Sequence, residues 1–584
     1  MDERRGTRRG AMAGSGLVAL AAVAAVWLLC GDEPTRRDPA QDALARAACD
    51  YREIDAPPLG EELLNPPEIR ATHKVLKTHL RVAYTKKATT EIAGCPVRLR
   101  SYDGKLIGPT LRLSPGDTLD LKVRNRLPRE SKARLAAEIQ EQTDAAHIAT
   151  VPHGYNTTNL HTHGLHVSPR ANGDNVLLKV GPQKTRHYDI ELPRDHPRGT
   201  YWYHPHAHGS TAIQVGSGMA GAIIVEDDEH KIPPELAAAN EREKVMLFQQ
   251  ILYDTSGRSE TIEAFFFEDD ATKELCAEGK PGCTWQSSGR RTTINGQLVP
   301  TIHMQPGEVQ RWRMIGGGFR EEMKIRLEGH DLHEIALDGV YLGRVDTWEG
   351  ESDQTVLLEP GYRSDVLVKA AMVTEETTFD LIDAESSVGL SSGDPEDQEL
   401  LARVVVSGEP VDMGLPTDEQ MAALAPFRGI DLAEKAVDVE VASFKVGHDL
   451  AASPRKYFHV NFEAFDPKRV RKVELGTIAQ WSLSAVGDPA SVPNPIAAAP
   501  HVFHIHVNPF QMIRDDPAGN PETVWKDTVL VPPAAPVTVY TRYNDYTGKF
   551  VMHCHILDHE DLGMMQVIKV VRGGVLAPRT GGHH

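Results

Sequence analysis

The sequence lacks an excess of basic residues, and after residue 31 it lacks any long apolar run. It has 63 Lys+Arg and 82 Asp+Glu, which gives a formal net charge of −19. This charge argues against a nucleic-acid-binding protein, which is expected to carry a positive surface. No later stretch is apolar enough to span a membrane. With 40% hydrophobic and 25% charged residues, the composition argues against a disordered or collagen-like chain. Its 584 residues allow about three to five domains, each with its own core.

The first 31 residues have the pattern of an export signal. Four arginines between residues 4 and 9 precede an uncharged stretch whose apolar part extends from Leu17 to Cys30. The neighbouring Arg8 and Arg9 hint at twin-arginine export. We predict a periplasmic or extracellular protein, with residues 1–31 as signal or N-terminal anchor and residues 32–67 as an N-terminal arm. Cleavage, retention as an anchor and lipidation at Cys30 all stay open.

Cysteine is scarce, with 6 residues in the whole chain. An exported protein meets an oxidising compartment, so disulfides are permitted. Cys276 and Cys283 lie close together in a polar loop and are predicted to pair. Cys49 with Cys95 is the natural second bridge, joining the arm to the first domain. Cys554 is then left over, and a leftover thiol needs an explanation.

An internal repeat divides the rest of the chain into three units. The segment 103–117 is echoed by 295–308 and, more faintly, by 473–483. Each copy runs from a turn into alternating apolar positions, which is the period of a β-strand. Three glycines of the repeat are 191 and 169 residues apart and mark units of domain size: Gly116, Gly307 and Gly476.

Many short strands separated by turn signals predict an all-β fold built from β-sandwiches. We predict three consecutive domains and a short tail, with these bounds: 68–228, 240–410, 435–572 and 573–584. The polar, charge-rich stretches around 228–242 and 410–438 are predicted linkers. Residues 129–146 are a predicted helical insertion in the first domain.

Histidine is the abundant residue, with 26 copies. Chance would give about one His-x-His pair in a chain of this composition. There are five such pairs, beginning at residues 161, 204, 206, 504 and 553. Alternate side chains of a strand share one face, so each pair presents two imidazoles in the same direction. Converging pairs would supply enough nitrogens for more than one metal ion.

The segment 553–564 carries the most specific pattern. On a strand, the two flanking histidines face one way and Cys554 faces the other, so one peptide can serve two metal sites and join them covalently. Cys554, His559 and Met564 are three of the four ligands of a blue-copper site, which needs a second histidine from another strand. The segment 501–506 supplies that histidine.

Four motifs together resemble the copper motifs of three-domain multicopper oxidases, a family that includes copper efflux oxidases, spore-coat laccases and bilirubin oxidases. They occur in the family's order, two in the first unit and two in the last: His161-Thr-His163, His204-Pro-His206, His501-x-x-His504-x-His506 and His553-Cys554-His555-x₃-His559-x₄-Met564. The resemblance covers about residues 68–572. It implies three cupredoxin-like Greek-key β-sandwich domains, with copper ligands in the first and third and none in the second.

The resemblance also implies four copper ions and a ligand set for each site. The type 1 copper would take four residues: His501, Cys554, His559 and Met564. The type 2 copper would take His161 and His504. The type 3 pair would take the remaining six: His163, His204, His206, His506, His553 and His555. Two carboxylates resemble the family's proton carriers, Glu560 near the type 3 pair and Asp174 near the type 2 copper.

These assignments predict a copper-dependent, laccase-like oxidoreductase with O₂ as acceptor. It would take single electrons from a phenolic, aryl-amine or metal-ion donor at the type 1 copper and reduce O₂ to water with four electrons at the three-copper cluster. We predict a monomer. Attachment to a membrane through the N-terminal segment stays open.

Three other functions compete with this prediction. A copper nitrite reductase usually has two domains and needs no type 3 pair. Copper-free scaffolds related to this family have lost ligands, whereas all twelve are present here. Copper sequestration without turnover would bind copper and consume no oxygen.

Overall fold

The computed structural model describes most of the chain between residues 60 and 573. The described residues are 60–92, 94–130, 152–253, 285, 291–350, 354–386, 397–426, 429–430, 438–448, 456–488, 498–533 and 535–573. They form 33 strands and four short helices, so the fold is all-β as predicted. Several predictions fall outside them and stay predictions: the signal, Cys49, the Cys276–Cys283 bridge, residues 131–146 of the helical insertion and residues 574–584.

The first unit holds two main sheets. Their strand orders are β5-β2-β7-β9 and β1-β6-β11-β10-β8, and β3 pairs with β4 beside them. The bounds are β1 Glu68–Arg70, β2 Val75–Tyr84, β3 Glu91–Ile92, β4 Cys95–Pro96, β5 Arg100–Tyr102, β6 Thr110–Leu113, β7 Thr118–Asn125, β8 His161–His163, β9 Thr185–Glu191, β10 Gly199–His204 and β11 Gly221–Val225, with helix α1 Thr211–Val215.

The second unit repeats this two-sheet plan. Its strand orders are β13-β12-β15-β20-β17-β18 and β14-β22-β21-β16-β19. The bounds are β12 Lys244–Gln249, β13 Thr293–Ile294, β14 Thr301–Met304, β15 Val309–Gly316, β16 Met323–Leu327, β17 Leu332–Leu337, β18 Val340–Trp348, β19 Val356–Leu358, β20 Arg363–Lys369, β21 Thr377–Asp383 and β22 Glu399–Val406, with helices α2 Pro234–Asn240 and α3 Asp418–Ala422.

The third unit is built in the same way. Its strand orders are β24-β23-β26-β31-β28-β29 and β25-β33-β32-β27-β30. The bounds are β23 Asp438–His448, β24 Lys456–Val460, β25 Val470–Glu474, β26 Ile478–Val486, β27 His501–Ile505, β28 Phe510–Asp515, β29 Pro521–Lys526, β30 Thr528–Val531, β31 Val537–Arg542, β32 Gly548–Cys554 and β33 Met565–Val571, with helix α4 Leu557–Asp561.

The three units share one pairing scheme. In each, an early strand pairs in parallel with the strand that begins two residues after the repeated glycine: β2 with β7, β12 with β15, and β23 with β26. The repeat in the sequence is therefore a repeat in the fold. The strands of each unit lie within one predicted domain, and the exact domain bounds stay predictions.

Strand burial follows the alternation of the sequence in β7, whereas several other strands, β15 among them, are buried along their whole length. In β7 the alternate residues Leu119, Leu121 and Val123 are buried in the core. In β15 all eight residues are buried, including Arg311, whose guanidinium pairs with Asp365 of β20. This sheet is therefore covered on both faces, and ion pairs neutralise its buried charges.

Both predicted linkers fold onto the second unit. Helix α2 begins with a proline, and helix α3 begins with a capping box between Thr417 and Gln420. Leu236, Ala239 and Met421 from these helices are buried in an apolar cluster with strands of the second unit. The charged residues of the helices therefore belong to their outer faces, and the buried apolar residues face the second unit.

The described end of the N-terminal arm packs against the second unit. The amide of Leu63 donates to the carbonyl of Thr301 (2.7 Å), and the Leu63 side chain is buried. Among the described residues, we find no helix with the length and apolar character that a membrane crossing requires.

Candidate metal centres

Strand pairing brings the predicted ligands of the first and third units into one region. In the first unit, β8 pairs with β10, with His161 opposite His204 and His163 opposite Trp202. In the third unit, β27 pairs with β32, with His504 opposite His553. All ten histidines of the four motifs are buried. Their donor atoms form four groups.

The first group contains His163, His204 and His555, whose ligand atoms all lie within 4.8 Å of one another. His163 Nδ1 lies 3.2 Å from His555 Nε2, although 392 residues separate the two along the chain. His204 Nδ1 donates to the carbonyl of Pro205 (2.8 Å), which leaves the lone pair on its buried Nε2 without a partner in the described structure. The group therefore presents nitrogens from both units at one point.

The second group contains His206, His506 and His553. Their Nε2 atoms form a triangle, with 3.0 Å from His206 to His553, 3.1 Å from His206 to His506 and 3.3 Å from His506 to His553. Three imidazole nitrogens so close together repel one another unless protons or a cation lie between them. The arrangement fits a shared metal ion.

The third group contains His161 and His504. His161 Nδ1 donates to Asp174 Oδ2 (2.8 Å), and His504 Nδ1 donates to the carbonyl of Asp527 (2.8 Å). Each ring then has a buried Nε2 without a hydrogen-bond partner in the described part of the chain. Leaving a buried polar atom unsatisfied costs about 1–3 kcal/mol, and a bound metal removes that cost.

The fourth group lies on the opposite face of β32. Cys554 Sγ lies 3.7 Å from His501 Nδ1 and 3.8 Å from His559 Nδ1. The amide of Cys554 donates to the carbonyl of Met564 (3.1 Å), and both side chains belong to one buried apolar cluster. Phe458 stacks on the His559 ring at 4.2 Å. Thiolate, imidazole and thioether are the donor types that a blue-copper site uses.

Burial sets the protonation of these groups. It lowers the pKa of seven histidines well below the ordinary value: His161, His163, His206, His501, His506, His553 and His555. It also lowers the pKa of His204 to about 3 and raises that of Cys554 to about 12. Neutral imidazoles keep a lone pair for a metal, and a coordinated cation deprotonates a thiol.

The two predicted proton carriers lie beside the clusters. Glu560 Oε1 is 3.4 Å from His206 Nδ1, and its Oε2 is 3.7 Å from His553 Nδ1. Burial, with the neighbouring Asp561 carboxylate, raises the pKa of Glu560 well above its ordinary value. Asp174 accepts from His161, and burial raises its pKa to about 7.

Sequence reasoning missed Asp527, which contacts two of the clustered histidines, His163 and His504. His163 Nε2 donates to its Oδ1 (3.0 Å), and Arg363 of the second unit donates to the same carboxylate. Burial alone would raise the pKa of Asp527, yet the Arg363 charge and the hydrogen bonds it accepts lower it below the ordinary value. No motif in the sequence marks this residue, because two of its partners, His163 and Arg363, lie in other units.

Gly361 leaves room for two of the clustered rings. Its φ is +93°, and an added Cβ would lie 3.1 Å from His163 Cε1 and 3.1 Å from His555 Cδ2. We expect Gly361→Ala to weaken copper binding at this group about ten- to hundredfold, as changes beside metal ligands do. Metal analysis during titration with copper measures the effect.

Gly476→Ala is the matched control, because Gly476 has φ +87° and nothing within 4 Å of an added Cβ. Both variants should lose about 1–2 kcal/mol of stability to backbone strain, and only Gly361→Ala should lose copper. Equal copper binding by the two variants would contradict the prediction.

Comparison with known proteins agrees with this geometry. Three family models, each described as multicopper oxidase, match residues 138–230, 265–383 and 444–574. A multicopper oxidase of Staphylococcus aureus is 24% identical over 476 residues, covering 81% of this chain and 83% of the relative. A laccase of Bacillus subtilis is 22% identical over 510 residues, covering 81% and 90%.

Solved structures share the fold. A multicopper oxidase from Pediococcus acidilactici superposes with a TM-score of 0.65 at 22% identity, covering 89% of this chain and 93% of that one. A multicopper oxidase from Campylobacter jejuni, described as a metallo-oxidase, gives 0.63 at 21% identity, covering 88% and 96%. The predicted cupredoxin-like β-sandwich architecture is thereby confirmed.

The donor sets fit copper, since they combine buried imidazoles with one thiol and leave several nitrogens without another partner. With the three family matches, they decide against the nitrite reductase alternative. The chain belongs to the multicopper oxidase family, the copper-dependent oxidoreductases that couple oxidation of a donor to reduction of O₂ to water.

Proposed function

We propose that the chain is a laccase-like oxidase that binds four copper ions through the twelve predicted ligands. The type 1 copper would be held by His501, Cys554, His559 and Met564, and the type 2 copper by His161 and His504. The two type 3 coppers take the groups that contain His204 and His206. The observation that carries this proposal is that the histidine and cysteine ligand atoms converge within 4.8 Å in four groups: His161, His163 and His504; His163, His204 and His555; His206, His506 and His553; and His501, Cys554 and His559.

Bound copper supplies a centre that changes oxidation state by one electron and accepts imidazole, thiolate and thioether ligands. The chain supplies the connection between its sites. Cys554 is peptide-bonded to His553 and His555, which belong to the two different histidine triads. Electrons that arrive at the sulfur therefore have a short covalent route to both triads.

Glu560 and Asp174 hold the protons that water formation requires. Glu560 lies between His206 and His553, and Thr211 Oγ1 donates to its Oε1 (3.2 Å). Asp174 bonds the His161 ring and also accepts from the amide of Thr162 (3.3 Å). Each carboxyl group can therefore pass a proton towards the cluster without displacing a ligand.

The donor is a phenol, an aryl amine or a metal ion, and it approaches on the His559 side. His559 is 6% exposed, whereas His501 and Cys554 are fully buried. Of the two imidazoles proposed to hold the type 1 copper, that of His559 thus belongs to the less deeply buried residue. An electron from an outside donor has its shortest route through that ring.

The proposal extends to the compartment and assembly of the protein. The N-terminal arginines and apolar run support export to the periplasm or the extracellular space, with residues 1–31 cleaved or kept as an anchor. An oxidising compartment suits bridges between Cys49 and Cys95 and between Cys276 and Cys283. The self-contained three-domain plan supports a monomer.

Oxygen uptake by the copper-loaded protein tests this function. We expect one O₂ consumed per four electrons from a methoxyphenol or from Cu(I), with no peroxide released. The preferred donor separates laccase-like from metal-oxidising activity. A blue, copper-loaded protein that consumes no oxygen would contradict the proposal and indicate copper sequestration without turnover. A protein that binds no copper would also contradict it and indicate a copper-free scaffold protein.

A further inference from the structure

The second unit supplies none of the proposed ligands, yet one of its side chains reaches the ligand clusters. Arg363, the first residue of β20, is fully buried. Its Nη1 donates to Asp527 Oδ1 (2.7 Å), and its Nη2 donates to Asp527 Oδ2. Such a two-point contact fixes the plane of the carboxylate as well as its position.

The Arg363 guanidinium has no freedom left to rotate. Besides the two bonds to Asp527, it donates to three carbonyls: Thr200 from Nε (3.3 Å), Gly361 from Nη1 (2.9 Å) and Asp338 from Nη2 (2.8 Å). These bonds use all five N–H groups of the side chain. A lysine has no planar fork and could not make the same set.

Asp527, held in place by Arg363, accepts a hydrogen bond from one imidazole ring of the first unit and one of the third. Its Oδ1 accepts from His163 Nε2 (3.0 Å), and its carbonyl accepts from His504 Nδ1 (2.8 Å). Thr528 Oγ1 donates to Asp527 Oδ1 (2.7 Å). The same hydroxyl oxygen lies 3.1 Å from His163 Nε2 and 3.1 Å from His504 Nδ1. The N–H of each imidazole is therefore held on the Asp527 side, and the other nitrogen faces the cluster.

A second acidic residue, Asp338 of the second unit, fixes the backbone at Asp527 and Thr528. Asp338 Oδ2 accepts from the amides of Asp527 (3.2 Å) and Thr528 (3.3 Å), and Lys526 Nζ lies 3.2 Å from the same oxygen. All four charged residues are buried, and two positive charges balance two negative ones. The assembly thus stays neutral overall inside the protein.

We propose that Arg363 is a positioning residue for copper binding: it fixes Asp527 and Thr528 so that they hold His163 and His504 with Nδ1 and Nε2, respectively, towards the metal sites. This inference rests on the proposed ligand assignment. It gives the ligand-free middle unit a specific part in building the cluster shared by its neighbours, because histidine ligands need their second nitrogen bonded to fix tautomer and ring orientation.

Arg363→Lys tests the inference, with Arg311→Lys as matched control. Arg311 is an equally buried arginine of the same unit that pairs with Asp227 and Asp365 and bonds Asn240 and Tyr341, none of them a proposed ligand. The readouts are copper ions bound per chain, the type 2 electron paramagnetic resonance signal, the blue type 1 absorption and the unfolding temperature of the copper-free protein.

We expect Arg363→Lys to weaken copper binding at the type 2 and type 3 sites about ten- to hundredfold and to change the type 2 signal, while the blue absorption is kept. Arg311→Lys should lower the unfolding temperature comparably and keep the full copper content with an unchanged signal. An Arg363→Lys protein with wild-type copper content and signal would overturn the inference, as would the same copper loss in both variants.

Thr528→Val covers the case in which Arg363→Lys does not fold, because it removes the shared hydroxyl and leaves every charge in place. We expect a changed type 2 signal and weaker copper binding, and an unchanged signal would overturn the inference. If the wild-type chain binds four coppers and the variants bind copper in the same way, the positioning role fails and the proposed function stands. If the wild-type chain binds none, the proposed function fails, and the inference fails with it.

Discussion

Replacing Cys554 with serine is expected to abolish oxygen uptake down to the assay background and to remove the blue colour. A buried hydroxyl cannot ionise as a thiol beside a metal does, so the type 1 ligand set loses its anionic member. The peptide 553–555, which joins this site to both histidine triads, would then carry no metal-bound sulfur. Oxygen uptake, absorption and copper content measure the outcome.

The serine variant should still fold and still bind the other coppers. A hydroxyl is smaller than a thiol and fits into the same space, and Cys554 lies in an apolar cluster where a buried hydroxyl costs about 1–3 kcal/mol. We therefore expect three coppers per chain and a modestly lower unfolding temperature for the copper-free protein. A serine variant that oxidises donors at the wild-type rate would show that electrons enter elsewhere.

Replacing Glu560 with glutamine is expected to slow oxygen reduction by about 10²–10⁴-fold, the range that a positioned acid or base contributes. Glutamine keeps the shape of the side chain and the bond from Thr211, but its amide cannot take up and release a proton. Steady-state oxygen uptake with saturating donor measures the effect. Reduction of the type 1 copper by the donor without oxygen should be as fast as in wild type.

Glu399→Gln is the matched control for this substitution. Glu399 is also a buried carboxyl group, and its oxygens accept from the amide and hydroxyl of Thr292 instead of facing histidines. Its variant should keep the wild-type oxygen reduction rate. A Glu560→Gln enzyme that reduces oxygen as fast as this control would exclude Glu560 as a proton carrier.

Much of the fold could be predicted because its signals are local. The alternation in β7 and the turn glycines at residues 116, 307 and 476 depend on neighbours within a few residues, and each glycine is followed two residues later by an equivalent strand. The ligand motifs are local as well, since a His-x-His pair needs only a strand to align its two rings.

The support of the clusters could not be predicted, because it depends on contacts between units. Arg363 and Asp527 are separated by 164 residues, and Asp338 and Asp527 by 189. None of these three residues belongs to a motif that contains histidine or cysteine. The packing of the two predicted linkers could not be predicted for another reason: composition reflects exposed faces, whereas Leu236 and Met421 show that each helix also has a buried face.

The wide separation of the clustered histidines dictates when copper can enter the protein. His163 and His555 are 392 residues apart, so a chain still on the ribosome carries the first half of the histidine cluster long before the second half exists. Copper offered at that stage meets only incomplete groups. Each mixed histidine group is therefore complete only after the first and third units have both been synthesised and docked, and a chain truncated before residue 553 would lack part of both triads.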